Sequence, residues 1–334
     1  CDIMQQTVEN RQNTFWGLKV MEKTRRNGLK SMLAYAVIDK PNSSTLGFVL
    51  GPRINSAGRL ETAEKALELM LEKDSFRALE KAKYLDELNK KRRKLQSDAL
   101  EIAIQKAKDF ENDKVLVIAD KNFNDGIIGI VASGLMEKFK KPVFVISIDG
   151  EIAKGSARSF GEFSASQAVD KAREIIIKGG GHDAAAGVTL PTSKIDDFRR
   201  IVNEFYDSLN LEDQLKYLLP KVDIQLEDFS PISLDLFEKI TKLEPFGNGN
   251  EEPTFEIKNA RVVARQEMGD KKQHLKLTLT DGENEIKMLK FNAPEEFFAE
   301  IGEEIDVVFS LGLNEWQGQK NIEGQILHLE RKSV

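Results

Sequence analysis

The sequence has few of the residues that several kinds of protein site require. Its 334 residues include a single cysteine, Cys1, so no disulfide can form within the chain, and we expect a cytoplasmic, reducing compartment. Only three histidines occur, in separate predicted regions, and there is no Asp-His-His triplet. The longest apolar run, around residues 127–136, is too short and too rich in glycine to span a bilayer.

An excess of positive charge is also missing. The chain has 49 Lys and Arg residues against 55 Asp and Glu residues, for a net charge of −6. The surface as a whole therefore does not favour a polyanion, and binding to nucleic acid would require basic residues to converge in a groove. The length predicts two or three domains. The first residue is Cys rather than Met, from which we expect the sequence to be a piece of a longer protein.

Residues 179–187 read GGGHDAAAG and form the most informative segment that is present. The periodicity before it predicts a helix over 165–178, and a strand is predicted over 184–190. Three glycines between them predict a tight turn with exposed amides at Gly179, Gly180 and Gly181. Such amides, next to the imidazole of His182, are typical of a site for a phosphate oxygen. A helix C-cap with a tight turn is the alternative interpretation.

Three other segments accompany this one. Residues 51–60 read GPRINSAGRL, residues 155–159 read GSARS, and residues 243–250 read LEPFGNGN with PTF at 253–255. The glycine run resembles the GGGH motif of DHHA1 domains in DHH-family phosphoesterases. The other three, in this order, resemble motifs of the RecJ family, although many relatives have Trp-His where this chain has Phe123 and Asn124. The resemblance covers most of the chain and implies the C-terminal portion of a single-stranded-DNA exonuclease.

The resemblance and the residue pattern together predict an α/β plus all-β fold. Residues 1–74 are interpreted as the C-terminal remnant of a DHH domain, with two helices and a short strand around 47–50. Residues 75–110 contain no Gly or Pro and predict a connecting helix roughly 50 Å long. We interpret this helix as a spacer and its basic cluster at 89–94 as a solvated face.

The rest of the chain is predicted to form two domains. Residues 111–212 are assigned to a DHHA1 domain with a parallel β-α-β core, made of strands over 114–119 and 142–147 and a helix over 126–140. Residues 213–334 are assigned to an OB-fold barrel after a helix over 234–243. Its five short strands are predicted over 262–265, 274–280, 285–291, 305–311 and 321–329.

Four aromatic residues of the predicted barrel are candidates for stacking on nucleic-acid bases. We expect Phe255, Phe291 and Phe309 to fill the barrel interior. Trp316 lies in a turn-like context, Asn-Glu-Trp-Gln-Gly, and its exposure is left open by the sequence.

The resemblance also assigns roles to individual residues. It implies that Ser156, Arg158 and Ser159 hold a DNA phosphate and that His182 is catalytic. A guanidinium suits that role, because its fork of donors matches phosphate oxygens. Arg53, Asn55 and Arg59 are implied to hold the DNA backbone or to brace the site near a metal cleft. For Arg59, capping the helix that starts near Glu61 or pairing with Glu64 are alternatives.

The RecJ family uses two divalent metals, Mn²⁺ or Mg²⁺, to hydrolyse phosphodiesters. Most of its metal-site motifs precede the segment that this chain resembles, and only Asp2 matches a family ligand. We therefore expect no intact metal site and no metal bound by this chain alone. The implied partner is single-stranded DNA, with single-strand-binding protein and a helicase as further partners.

Three classes of function follow from these features. The first is a 5′-to-3′ exonuclease of DNA repair and recombination that requires the other half of its DHH domain. The second is a catalytically empty module that binds single-stranded nucleic acid. The third is a DHH–DHHA1 enzyme acting on oligonucleotides or cyclic dinucleotides, which the OB-like tail disfavours. The C-terminal region of alanyl-tRNA synthetase is also rich in glycine, but it lacks the motifs around Arg53 and Pro245.

Overall fold

The computed structural model describes residues 4–332, which divide into two units. The first unit is Leu18–Leu218, and the second combines residues 4–17 with residues 219–332. The helices up to the first sheet are α1 (Val8–Glu22), α2 (Asn27–Tyr35), α3 (Gly51–Leu60), α4 (Glu64–Leu71) and α5 (Ser75–Ala107).

The predicted strand around residues 47–50 is wrong. These residues belong to a π-helical turn, Thr45–Leu50, that continues into α3. Pro52 lies in the first turn of α3, where a helix does not need a backbone N–H and where the fixed φ of proline favours helix. The apolar residues of this region thus follow a helical face, and Leu50 and Ala57 are buried in the core of the helical region.

Helix α5 is confirmed as a single long helix of 33 residues. Asp74 caps it by accepting a hydrogen bond from the Arg77 N–H at 2.8 Å. Its predicted role as a spacer stays a prediction, and both halves of the helix are packed. Leu85 belongs to the helical core, and an alanine stripe with a four-residue spacing lies in the core beneath the first sheet. That stripe consists of Ala99, Ala103 and Ala107.

The first sheet has five strands in the order β1-β2-β3-β5-β4. They are β1 (Leu116–Asp120), β2 (Val143–Asp149), β3 (Ile152–Arg158), β4 (Lys178–His182) and β5 (Ala185–Pro191). Helix α6 (Ile128–Phe139) connects β1 to β2, which pair in parallel, so the predicted β-α-β crossover is confirmed. The other pairs are antiparallel, and α7 (Ala165–Lys171) and α8 (Ile195–Ser208) complete this unit.

The predicted turn at the three glycines is wrong. Helix α7 ends at Lys171, and Gly179, Gly180 and Gly181 lie within the edge strand β4. Close packing explains why glycine stands there. A Cβ on Gly181 would lie 2.4 Å from the Ala185 carbonyl oxygen, and one on Gly179 would lie 2.6 Å from the Val169 side chain. The glycines therefore let the edge strand approach its neighbours closely.

The second unit contains α9 (Leu234–Thr241) and strands β6 (Ile224–Leu226), β7 (Phe255–Met268), β8 (His274–Thr280), β9 (Glu285–Lys290), β10 (Glu304–Trp316) and β11 (Gln319–Arg331). Five of these strands close on themselves, since β7 pairs with β8, β8 with β9, β9 with β11, β11 with β10 and β10 with β7. The five predicted OB strands are confirmed, whereas the short strand β6 was not predicted.

The barrel interior contains two of the three phenylalanines predicted to fill it. The rings of Phe255 and Phe309 are buried, with centroids 5.8 Å apart. Phe291 was predicted to be buried, and this is wrong: 57% of its surface is exposed. Strand β9 ends at Lys290, so Phe291 lies outside the strand. The alternation of inward and outward side chains along a strand therefore does not apply to Phe291.

The turn between β8 and β9 depends on one carboxylate. Asp281 accepts hydrogen bonds from the N–H groups of Phe229 at 2.6 Å, Glu283 at 2.8 Å and Asn284 at 2.7 Å. Burial by itself would raise the pKa of Asp281, but these hydrogen bonds outweigh burial and lower that pKa to about 2. The ionised side chain therefore stabilises the second unit.

We expect Asp281→Asn to lower the stability of the second unit at neutral pH by about 1 kcal/mol, after allowance for solvent screening. Because the folded pKa is depressed, the contribution of Asp281 is complete above its ordinary pKa near 4 and is lost as the pH falls towards 2. Thermal melting between pH 7 and pH 2 measures this. The control is Asp235→Asn, which removes an exposed ion pair with Lys239. Equal melting curves for both variants would contradict the assignment.

Candidate nucleic-acid interface

A cleft of about 620 Å³ opens in the first unit, beside the loop that follows the carboxyl end of β1. Its charged lining residues are four cations and one carboxylate: Arg59, Lys154, Arg158, Lys178 and Asp125. Glycines 126, 129, 155, 179 and 187 provide much of the remaining wall. A concave, positively charged surface lined by bare backbone favours an anion that carries several oxygens.

Arg158 lies at the end of β3 and is half-buried in this cleft. Its Nη1 donates to the Ala157 carbonyl oxygen at 2.7 Å and to the Ser156 hydroxyl at 3.4 Å. Burial lowers the pKa of Arg158, and the positive charge of Arg59 lowers it further. A guanidinium stays charged in proteins, so this pair of cations attracts an anion between them.

Arg59 lies in the last turn of α3 and is fixed against the β1–α6 loop. Its Nη1 donates to the Gly126 carbonyl oxygen at 3.0 Å. The two backbones also touch, since a Cβ on Gly126 would lie 1.8 Å from the Arg59 carbonyl oxygen. The contact with Gly126, rather than a helix cap at Glu61 or a pair with Glu64, holds Arg59 in place.

Arg92 is a third arginine of this region, and the sequence interpretation missed it. It is buried on α5, where Nη2 donates to Asn89 Oδ1 at 2.8 Å and Nη1 donates to Gln96 Oε1 at 3.0 Å. Burial lowers the pKa of Arg92, and the positive charges of Arg59 and Arg93 lower it further. The interpretation of residues 89–94 as a wholly solvated face is therefore wrong. In the sequence, the signal for this was the pair of neutral polar residues, Asn89 and Gln96, at positions i−3 and i+4 from Arg92.

The three arginines share one property. Within the described part of the chain, Arg59, Arg92 and Arg158 form no ion pair with a carboxylate, although six other arginines there do. The carboxylate that lines the cleft, Asp125, forms an ion pair with Lys154, with Oδ2 and Nζ 2.7 Å apart. Arg59 and Arg158, which line the cleft, therefore leave positive charge that a bound anion can neutralise.

The first turn of α6 also faces the cleft. A Cβ on Gly129 would lie 3.1 Å from the Ser156 hydroxyl and 3.2 Å from Nη2 of Arg158. The helix therefore presents bare backbone beside the guanidinium, and a helix N-terminus carries partial positive charge. Gly129, Ser156 and Arg158 thus form one continuous group of donors.

Several residues predicted for the site lie elsewhere. Arg53 is held by buried Asp86, with Nη2 and Oδ1 2.8 Å apart, and its Nη1 donates to the Val49 carbonyl oxygen. These partners support the bracing alternative, and the role of Arg53 in binding stays a prediction. Ser159 is buried and its hydroxyl donates to the Phe163 carbonyl oxygen at 2.6 Å, and its predicted phosphate contact stays a prediction.

The glycine strand reaches the cleft at one end. Gly179 lines it, and Gly180, Gly181 and His182 continue along β4 as exposed residues of the edge strand. His182 pairs with Ala185 at the hairpin end. Asn55 is exposed on α3. The catalytic role of His182 and the phosphate role of Asn55 stay predictions.

In the second unit, Trp316 is exposed over 71% of its surface. It lies at the tip of the β10–β11 hairpin, where Gln317 and Gly318 both have positive φ. Exposed Phe291 is fixed edge-on against the His274 ring, with centroids 5.3 Å apart. Two rings of the barrel are therefore open to solvent and available for stacking.

Metal ligands are scarce in the part of the chain that the structure describes. Residues 4–332 contain no group of three or more His, Cys, Asp or Glu side chains that could hold a metal ion. Asp2, the residue that matches a family ligand, lies outside the described residues. These residues do not fit a two-metal site. No helix within residues 4–332 is long and apolar enough to cross a membrane.

Two family models match the chain: DHHA1 domain over residues 112–208 and RecJ OB domain over residues 222–328. The single-stranded-DNA-specific exonuclease RecJ of Bacillus subtilis is 34% identical over 319 residues, which are 93% of this chain and 40% of that protein. RecJ of Dickeya dadantii is 29% identical over 91% of this chain and 54% of its own length.

Solved structures agree. The crystal structure of RecJ from Thermus thermophilus in complex with Mn²⁺ is 27% identical, with a TM-score of 0.86 over 100% of this chain and 48% of that chain. The complex with Mg²⁺ gives 28% identity, a TM-score of 0.83, and coverage of 100% and 50%. With its DHHA1 domain followed by a RecJ OB domain, the chain belongs to the RecJ family and spans about half the length of the relatives it matches.

Proposed function

We propose that this chain is the strand-holding part of a 5′-to-3′ single-stranded-DNA exonuclease that acts in DNA repair and recombination. The observation that carries the proposal is one cleft lined by Arg59, Arg158, Lys154 and Lys178, in which neither arginine has a carboxylate partner among residues 4–332. The names of the relatives, single-stranded-DNA-specific exonucleases, supply the substrate class. Single-strand-binding protein and a helicase are proposed further partners, because a single strand is exposed by unwinding, and the cytoplasm is the proposed compartment.

In this proposal, different donors of the cleft hold different parts of a DNA strand. The fork of Arg158 and the hydroxyl of Ser156 hold a 5′ phosphate beside the first turn of α6. Arg59 and Lys178 line the same cleft and add positive charge for this phosphate and its neighbour. In the second unit, the exposed rings of the barrel offer a stacking surface for bases.

Binding is tested directly with a fluorescent single strand and the 334-residue chain. We expect measurable affinity that falls steeply as salt is raised, because each phosphate neutralised by a lysine or arginine releases counterions. A blunt duplex of the same sequence is the control for strand preference. Affinity independent of salt, or no binding at low salt, would contradict the proposal.

Catalysis requires more than the described residues supply. The RecJ crystal structures contain Mn²⁺ or Mg²⁺, and two such ions would activate water and stabilise the leaving oxygen in this chemistry. We therefore expect the 334-residue chain alone to release no mononucleotides from single-stranded DNA in Mn²⁺ buffer. Release that EDTA abolishes, from a preparation free of other nucleases, would contradict this expectation.

Trp316→Ala is expected to weaken binding of single-stranded DNA by about 1–3 kcal/mol, because the exposed ring at the hairpin tip stacks on a base. Fluorescence anisotropy with a labelled oligonucleotide measures the change. Trp16→Ala is the matched control, since it removes an exposed indole from helix α1. If both variants bind as the parent does, Trp316 is an idle surface residue.

A further inference from the structure

A second, smaller pocket of about 200 Å³ lies in the first unit. Lys114, which lines it, precedes the first residue of β1, whereas Asp125 of the cleft follows the last residue of that strand. The five residues of β1 span roughly 17 Å at 3.3 Å per residue, so the pocket is a site separate from the cleft.

Aromatic rings form one side of the pocket. Phe160, Phe163 and Tyr206 line it, and the rings of Phe163 and Tyr206 lie 5.4 Å apart between centroids. Phe163 is fully buried, which fixes its position, while Phe160 and Tyr206 are partly exposed. Burial raises the pKa of the Tyr206 hydroxyl, and the charge of Asp207 raises it further. These rings offer a fixed apolar surface to a flat ligand.

Three lysines form the other side. Lys114, Lys140 and Lys141 line the pocket. Lys141 donates to the carbonyl oxygens of Glu111 at 2.6 Å and Asp113 at 2.8 Å, so backbone groups hold it in place. Lys114 and Lys140 are exposed, and neither forms an ion pair with a carboxylate of residues 4–332. Their charges are available to a ligand.

We propose that this pocket binds a nucleotide, with its base against Phe160 and Tyr206 and its phosphate at Lys114 and Lys140. Aromatic rings next to ammonium groups without carboxylate partners match a molecule that joins an aromatic ring to an anion. The volume accommodates a base, while the phosphate stays at the open, lysine-bearing side. The nucleotide is either a free 5′-mononucleotide or one unit of a bound strand.

The test is a calorimetric titration of the 334-residue chain with deoxyadenosine 5′-monophosphate. The Arg158→Ala variant is titrated as well, so that phosphate binding in the cleft is not mistaken for binding in this pocket. We expect the mononucleotide to bind both proteins, and in Arg158→Ala we expect deoxyadenosine and inorganic phosphate each to bind about tenfold more weakly than the mononucleotide. No binding to Arg158→Ala, or phosphate binding as tightly as the mononucleotide, would overturn the proposal while leaving the function of the cleft intact.

Variants of the pocket separate its two halves. Lys140→Gln and Tyr206→Leu are each expected to weaken mononucleotide binding about tenfold, whereas Tyr206→Phe keeps the ring and the affinity. Lys138→Gln is the matched control, because Lys138 is an exposed lysine of the same helix end that does not line the pocket. Equal affinities of Lys140→Gln and Lys138→Gln, with unchanged melting temperatures, would overturn the proposal.

The same variants identify the source of the nucleotide. If the pocket holds one unit of a strand, Lys140→Gln weakens binding of a 5′-phosphorylated oligonucleotide as well as of the mononucleotide. If it holds the free mononucleotide, only the latter affinity falls. Either result supports a nucleotide site. If Lys140→Gln weakens the binding of neither the mononucleotide nor the oligonucleotide, the proposal is contradicted.

Discussion

Arg158→Ala is expected to weaken binding of a 5′-phosphorylated single strand to this chain by about tenfold to a hundredfold. That range corresponds to about 1.5–3 kcal/mol, the usual contribution of a hydrogen bond to a charged group. Arg158 is half-buried and is opposed by the charge of Arg59, so the free chain carries unfavourable repulsion that a phosphate relieves. The loss should exceed that for an exposed arginine, whose interactions water and salt screen.

The comparison that tests this role uses strands with a 5′ phosphate and with a 5′ hydroxyl. The parent chain should prefer the phosphate, and Arg158→Ala should bind both strands equally. Arg158→Lys should recover part of the preference, because lysine keeps the charge but loses the planar fork. Arg200→Ala is the matched control, since Arg200 is exposed on α8 and paired with Glu204. If Arg158→Ala keeps the preference with an unchanged melting temperature, the assignment is wrong.

The sequence predicted elements well where a local pattern decides the outcome. The strands of the barrel alternate buried and exposed residues, as in β8 with Leu275, Leu277 and Leu279 inside. Helix α5 has no Gly or Pro for 33 residues and a capping aspartate. The β1-α6-β2 crossover follows from two apolar runs around a helical period. In each case the signal lies within one segment.

Prediction from the sequence failed where contacts between distant segments determine the structure. The glycines of β4 are required by contacts with β5 and α7, and the same composition in isolation predicts a turn. Arg92 reads as part of a solvated basic run, because its proximity to Arg59 exists only after α3 packs on α5. Phe291 was predicted to be a core ring, and the prediction failed because β9, with its alternation of buried and exposed residues, ends one residue before it. The motif matches located the cleft, but they could not distinguish bracing Arg53 from cleft-lining Arg59.

Gly126→Ala is expected to destabilise the first unit by about 3 kcal/mol, at the upper end of the usual cost of overpacking. The reason is a contact between backbones, which cannot move aside as a flexible side chain can. The new Cβ would lie 1.8 Å from the Arg59 carbonyl oxygen and 2.8 Å from its carbonyl carbon. The loop must then move away from the end of α3, and the hydrogen bond from Arg59 to the Gly126 carbonyl oxygen is lost.

Gly126→Ala should therefore also weaken DNA binding at a temperature where the protein is folded, because Arg59 is no longer held in the cleft that Arg158 also lines. Gly47→Ala is the matched control: no atom lies within 4 Å of the position of its Cβ, and alanine favours a helical backbone more than glycine does. The stability measured by urea unfolding and the affinity for a single strand should both fall in Gly126→Ala. In Gly47→Ala each should rise or change far less. A Gly126→Ala protein as stable as the parent would show that the loop yields freely, and Arg59 would then not be a fixed part of the cleft.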